Sequence, residues 1–370
     1  MTESKLGKIG KRAELALRRA FISSLQYRSR LSRKRSSSKV LSLRPNPTIL
    51  FLRQDRLGDA IVSTPVLIAI KEKIPDARFI ILLGSNNKGI VDLLPVECEI
   101  CVYQKKPLAD IAMLRRLRNR KIDVLIDLMD NPSSTSSILV AAIAAKHSIG
   151  IEKENSTSYD ITVPLLNRGK YHIARRMLEL VRPFGIDPET ISLKPQLVDI
   201  RKPIVKGKVG LVISAGVRDR CFTPKQGAEI AVQLIRLGMA AEVRIYFQQR
   251  DLDSANEIAV LTNDTRISVQ TPTDSFAGYA AELTSCEFVI SPDTSALHLC
   301  SAYNIPVVAV YQPSPPDLHY WTPIGVRYEM IIAQPSLSHL NVEEVIVAFE
   351  KLRQTIRTKS TMTKQEASEI

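Results

Sequence analysis

Asp59 and Asp293 are the two carboxylates whose neighbours invite chemistry. Asp59 ends the loop that begins at Arg53 and also carries Asp55, Arg56 and Gly58. At the carboxyl end of a first strand, Asp59 could take part in ligand binding, as such loops do in open α/β sheets. It could equally cap a helix on a glycine turn. Asp293 opens Asp293-Thr-Ser-Ala-Leu-His298, a turn running into a helix. The first amides of a helix lack internal partners, and with the helix dipole they suit a phosphate or diphosphate. Thr294 adds a hydroxyl donor and Ser295 an amide. Asp293 is either an acceptor for sugar hydroxyls or the helix cap. His298 is either a ligand-orienting residue or a packed core histidine. A third loop carries Gly216, Arg218 and Arg220 ahead of Phe222. Guanidinium groups bind diphosphate bidentately, and a solvated loop is the alternative.

No Walker loop, HExxH, Ser/His/Asp order or DxD-like acidic run appears in a supporting context, so neither metal nor cofactor is expected. The charge of a bound diphosphate would then fall to protein groups, the Thr294 amides and Arg218/Arg220. Cys98 and Cys101 form a CxxC without a second pair. They read as reduced thiols packed on opposite faces of a strand.

The elements that must position these loops alternate along the chain. Strands are expected at Thr48–Leu52, Arg78–Leu83, Glu99–Tyr103, Val124–Asp127 and Ile161–Val163. Helices are expected near Ala60–Lys73, with Thr64 as a possible internal cap, and at Ala109–Arg120, Ser134–Ala145 and His172–Phe184. Pro183, Gly185, Pro188, Pro195 and Pro203 then mark a linker. A second alternation follows: strands Lys208–Ile213, Glu242–Phe247, Glu287–Ile290 and Val307–Val310, with helices Lys225–Leu237, Leu252–Leu261, Phe276–Leu283 and Ser295–Tyr303. This predicts two α/β halves with doubly wound parallel sheets. The expected boundaries are a basic tail at 1–45, a first half at 46–185, a linker at 186–207 and a second half at 208–335. A terminal helix at 336–358 and a frayed end at 359–370 complete the chain.

The formal charge of +13 is uneven. Residues 1–44 hold thirteen Lys/Arg and two acids, or +11, so the body is nearly neutral. Leu6, Ile9, Ala13, Leu17 and Phe21 share one helical arc opposite the cations. Residues 1–35 are therefore expected to bind an anionic membrane surface rather than nucleic acid. A transit peptide or an extra surface helix would show the same pattern. A second basic run, Arg115 to Lys121, reads mainly as a solvated helix face. No apolar run reaches the roughly 20 residues of a membrane span. A cytoplasmic protein, free or peripheral at the inner face of the plasma membrane, is the expectation.

The stretch Phe51 to Pro65 resembles the first signature of glycosyltransferase family 9, the heptosyltransferases of lipopolysaccharide synthesis. Ile290 to Val310 resembles the second, with Ser295 where the family usually has glycine. The resemblance spans roughly residues 46–357. It implies a GT-B architecture, two Rossmann-like domains facing a cleft. It also implies inverting transfer of a sugar, typically heptose from ADP-heptose, to a lipopolysaccharide core or related glycan. Asp59 would be the general base. Gly216, Arg218, Arg220, Asp293, Thr294, Ser295 and His298 would hold the donor, and Arg53, Arg56 and Gly58 would face the acceptor, free or lipid-linked. Gln248 to Asp251 and Asn131-Pro132 depart from the family's usual turns. The alternatives are a non-catalytic sugar-nucleotide or membrane-glycan binding protein, or another GT-B nucleotide-sugar enzyme.

Overall fold

The computed structural model describes residues 40–313 and 320–366. It contains two six-stranded, all-parallel sheets. In the first half the strands are β1 (Thr48–Arg53), β2 (Arg78–Gly84), β3 (Glu99–Tyr103), β4 (Val124–Asp127), β5 (His147–Ile151) and β6 (Ile161–Val163), in the order 3-2-1-4-5-6. In the second they are β7 (Val205–Val212), β8 (Glu242–Tyr246), β9 (Ile267–Val269), β10 (Cys286–Pro292), β11 (Val307–Tyr311) and β12 (Tyr328–Ile332), in the order 12-11-10-7-8-9. Renumbered within its own half, the second order is the first read backwards. This doubly wound order binds ligands where the winding reverses, outside the carboxyl ends of the strands.

Strand alternation explains the layers. Ile49 and Phe51 enter a core with α2 (Thr64–Lys73) and α5 (Ile173–Leu178). Leu50 and Leu52 face α3 (Pro107–Asn119) and α4 (Ser134–Ile143) on the other side. The second sheet packs on α6 (Pro224–Arg236), α7 (Leu252–Thr262) and α10 (Val342–Glu366). Its other face joins the core of the first half through Val212, Tyr246, Leu283 and Leu297, so the halves share apolar contact. Cys98 and Cys101 pack in the cores on opposite sides of the first sheet, and burial pushes the Cys98 thiol up to about 12.

Several expectations are corrected. The helix expected over Ala60–Lys73 is two, α1 (Leu57–Val62) and α2, broken at Ser63. Pro65 lacks an amide and its ring crowds the preceding turn. Ser63 Oγ donates to Asp59 O (2.6 Å) and Thr64 Oγ1 to Ile61 O (2.8 Å). Ser63, not Thr64, is the cap residue of α2. The helix expected over His172–Phe184 turns into 3-10 geometry from Glu179, ahead of Pro183. Three strands went unread: β5, masked by the alanine run before it, the three-residue β9, and the edge strand β12, whose side chains are mostly half-buried. Residues 40–45, expected in the tail, lie against the first half: Leu41 N donates to Pro183 O (2.7 Å) and Arg44 pairs with Asp123 (2.8 Å). The last helix continues to Glu366, past the point where fraying was expected. The amphipathic segment within residues 1–35 lies outside the described residues.

Candidate active site

Carboxyl ends of strands from both sheets converge on one cleft of about 1280 Å³. The loop after β1 enters it first. Arg53 is the last residue of β1 and is fully buried. Its Nη1 donates to Leu128 O (2.6 Å) and lies 3.4 Å from Asp55, while Nη2 lies 3.2 Å from Asp59. Burial opposes its charge, but Asp55, Asp59, Asp130 and Asp127 outweigh this and push its pKa up. Arg53 thus lies beneath the cleft and cannot touch an acceptor, contrary to expectation. Arg56 and Gly58 do line the cleft. Arg56 is exposed and forms no ion pair among the described residues.

Asp59 sits in the first turn of α1 and lines the cleft. It is not the helix cap, since Arg56 holds that position. Burial pushes its carboxyl up to about 6; Arg53 pulls down, Asp55 and Asp130 push up, and Arg56 pulls down. At pH 7 such a group is still mostly ionised and is a stronger base than a solvated aspartate.

On the opposite wall, Asp293 and Thr294 lead from β10 into α9 (Ser295–Tyr303). Thr294 occupies the cap position without a side-chain bond, so its hydroxyl and the first amides are not used by a cap. Asp293, read as a possible cap, instead pairs with Arg220 Nη1 (2.7 Å). Burial raises its pKa, and Arg220 and Arg56 counter this. Arg220 and Gly216 line the cleft, and a Cβ added to Gly216 would meet nothing within 4 Å. Arg218, expected beside Arg220, is exposed and is not among the residues that line the cleft.

His298 lines the cleft but is nearly buried, its ring 5.8 Å from that of Trp321. Burial, then nearby His172, pushes it down to about 3, so the imidazole is neutral at any ordinary pH. Gly58 lies directly against it. The two halves are pinned again nearby. Tyr320 donates to Asp130 and lies 2.5 Å from Arg176 Nη1. His172 Nδ1 accepts from Ala174 N, so Nε2 carries the proton donated to Thr322 O (2.9 Å). Burial holds His172 at about 4.

Sequence reasoning missed Arg168, Trp321 and the loop Gln270 to Ser275, all lining the cleft. That loop follows β9; with β9 unread, nothing placed it at the carboxyl edge. The turn Gln248–Arg250, read as a departure, also lines the cleft; Gln248 N donates to Ser214 Oγ (2.8 Å). Among the described residues, no His/Cys/Asp/Glu group is arranged to hold a metal ion, and no helix is long and apolar enough to cross a membrane.

The profile of glycosyltransferase family 9 (heptosyltransferase) matches residues 111–345. The match includes the turn at Asp293 and begins after the Asp59 loop. Lipopolysaccharide heptosyltransferase 3 of Escherichia coli is 22% identical over 289 residues, 72% of this chain and 83% of that protein. A putative glycosyltransferase of Haemophilus influenzae is 23% identical over 306 residues, 75% of this chain and 86% of that protein. Among solved structures, E. coli heptosyltransferase WaaC with ADP superposes at TM-score 0.69 and 18% identity, over 82% of this chain and 99% of that one. E. coli ADP-heptose lipopolysaccharide heptosyltransferase II gives 0.68 and 18%, over 84% and 99%. The fold is GT-B, two Rossmann-like halves facing a cleft.

Proposed function

The chain belongs to glycosyltransferase family 9, and from that premise we propose that it moves a sugar from a nucleoside-diphosphate donor to a glycan hydroxyl, with inversion and without a metal. The sugar is heptose and the donor ADP-heptose, in line with the names of the relatives. The acceptor is a lipopolysaccharide core or related envelope glycan, met at the inner face of the plasma membrane with help from residues 1–35.

One relationship carries the reading. The loop bearing Asp59, a cleft-lining carboxylate with raised basicity, abuts the start of α9, where a Cβ on Gly58 would lie 3.7 Å from Ser295 Cα. A diphosphate on the Thr294 and Ser295 amides would leave the sugar near Asp59. Asp59 takes the acceptor hydroxyl proton as the oxygen attacks the anomeric carbon. The bond to the diphosphate breaks on the far side, and that single displacement inverts the centre. Arg220 and the helix amides stabilise the charge on the leaving diphosphate. Arg56, whose field reaches both Asp59 and Asp293, adds positive potential between the two walls.

The test is incubation of the protein with ADP-heptose and a deacylated core acceptor, with the new linkage read by NMR. An inverted anomeric centre is expected. A retained centre, or ADP-heptose binding without turnover on any core acceptor, defeats the reading.

A further inference from the structure

Helix α3 is packed on one side only. Asp110, Met113 and Leu117 are buried against the first sheet. At ~100° per residue the opposite face carries Leu108, Ile111, Ala112 and Arg115. All four are exposed, Leu108 by 87% and Ile111 by 46%. Ile138 of neighbouring α4 adds a third exposed apolar residue. Cations surround this face. From Gln104 to Lys121 the only acid is Asp110, which is buried and accepts from Gln104 N (2.9 Å). Arg120 is paired with Glu99, Arg116 is bonded to Cys101 Sγ and Arg118 to Ala142 O. Lys105, Lys106 and Arg115 have no ion-pair partner among the described residues.

We propose that this face, centred on Leu108 and Ile111 and flanked by Lys105, Lys106 and Arg115, docks on an anionic lipid surface. Apolar side chains entering the headgroup layer with cations around them are what an interfacial helix presents. A nucleic acid would use the cations and leave Leu108 and Ile111 without a role. The basic amino-terminal extension is a poor cover because it carries the same sign of charge. It also meets the described chain at Val40, against Gly185 and the core on the opposite side of the sheet. Placement fits as well. Registers Arg53–Leu83 and Leu83–Val102 put the start of α3 at the same edge of the sheet as the Asp59 loop. Docking there brings the cleft mouth to the lipid without depending on which sugar is transferred.

The test uses the full chain and vesicles of phosphatidylglycerol and phosphatidylcholine, with phosphatidylcholine alone as control. Because residues 1–35 are also expected to bind, a local reporter is needed: Leu108→Trp, with lipids brominated in the acyl chain. Its emission should shift to the blue and be quenched on anionic vesicles only. In the parent chain, Lys105→Gln/Lys106→Gln/Arg115→Gln and separately Leu108→Gln/Ile111→Gln should each lower partitioning, the first by roughly 10- to 100-fold. Thermal unfolding should be unchanged in both. Vesicles that sediment the Leu108→Trp protein without altering the new emission overturn the proposal. So does undiminished binding by both multiple variants, or binding of RNA in place of vesicles at the same salt.

Discussion

Gly58, in the first turn of α1 in the first half, lies against His298 in helix α9 of the second: a Cβ on Gly58 would stand 2.8 Å from His298 Cδ2 and 3.3 Å from Nε2. Real Cβ atoms do not approach so closely, so a side chain at 58 must move the ring or separate the halves. The ring is nearly buried and packs beside Trp321, which leaves it little room. Gly58→Ala should lower kcat/KM by roughly 10²-fold, the scale of a 1 Å misplacement, with the global Tm little changed. Adding His298→Ala should recover part of the loss. No recovery in the double variant would mean that the contact is not what limits the single one.

As the proposed general base, Asp59 should set the acid limb of the rate. Its carboxyl titrates at about 6 because burial outweighs Arg53. Only the ionised form accepts a proton, so kcat/KM should rise tenfold per pH unit below about 6 and level off above it. Asp59→Asn should cut kcat by ~10²–10⁴-fold with ADP affinity near the parent value. The stability sign is opposite to that of a paired surface carboxylate. A folded pKa above the unfolded ~3.9 means stability is lost as pH rises from about 4 to about 6, and the cost persists above. Asp59→Asn removes it, so Tm at pH 7.5 should hold or rise. Denaturation scans at pH 5 and 7.5 test this directly.

Arg53 is fully buried beside Asp59, and on the proposed mechanism it acts through that carboxylate. Arg53→Met leaves Asp55 and Asp59 facing each other without their buried cation. Breaking such a pair costs about 3–5 kcal/mol. In the protein that still folds, the acid limb should move above pH 6, toward neutrality. A pH–rate profile that keeps its midpoint would show that Arg53 has only a structural role.

Arg220, paired with Asp293 at 2.7 Å, should matter for diphosphates and not for the nucleoside. Arg220→Gln should weaken ADP by roughly 10- to 100-fold, about 1.4–2.8 kcal/mol, and AMP far less. On the proposed mechanism, in which protein groups carry the leaving charge, transfer should persist in EDTA. Activity abolished by chelation and restored by magnesium would assign that task to a metal.

How much was legible follows from which interactions are local. Apolar runs mark β1, β2 and β4 in the chain itself, because a strand buried on both faces must be apolar along its length. The turn at Asp293 and the loop at Asp59 were likewise visible, as polar residues held between a strand and a helix. β9 and β12 were not visible: three residues, or an edge half in solvent, leave no period to read. Whether Arg53 or Arg56 faces the cleft was equally hidden. Both are arginines in one loop, and only the packing of β4 and α5 around the first puts it under the floor. The same holds for Arg218 and Arg220, two residues apart, of which only the second meets Asp293.

The sequence alone determined two α/β halves, their parallel sheets and the loops that could carry chemistry, since these depend on residue type and spacing along the chain. Tertiary structure decided the rest. It set Asp59 among Arg53, Asp55 and Asp130, where burial makes it a base near pH 6, and it pressed Gly58 on His298 across about 240 residues of chain. Desolvation and contact between distant segments are properties of the packed chain, and no local spacing encodes them.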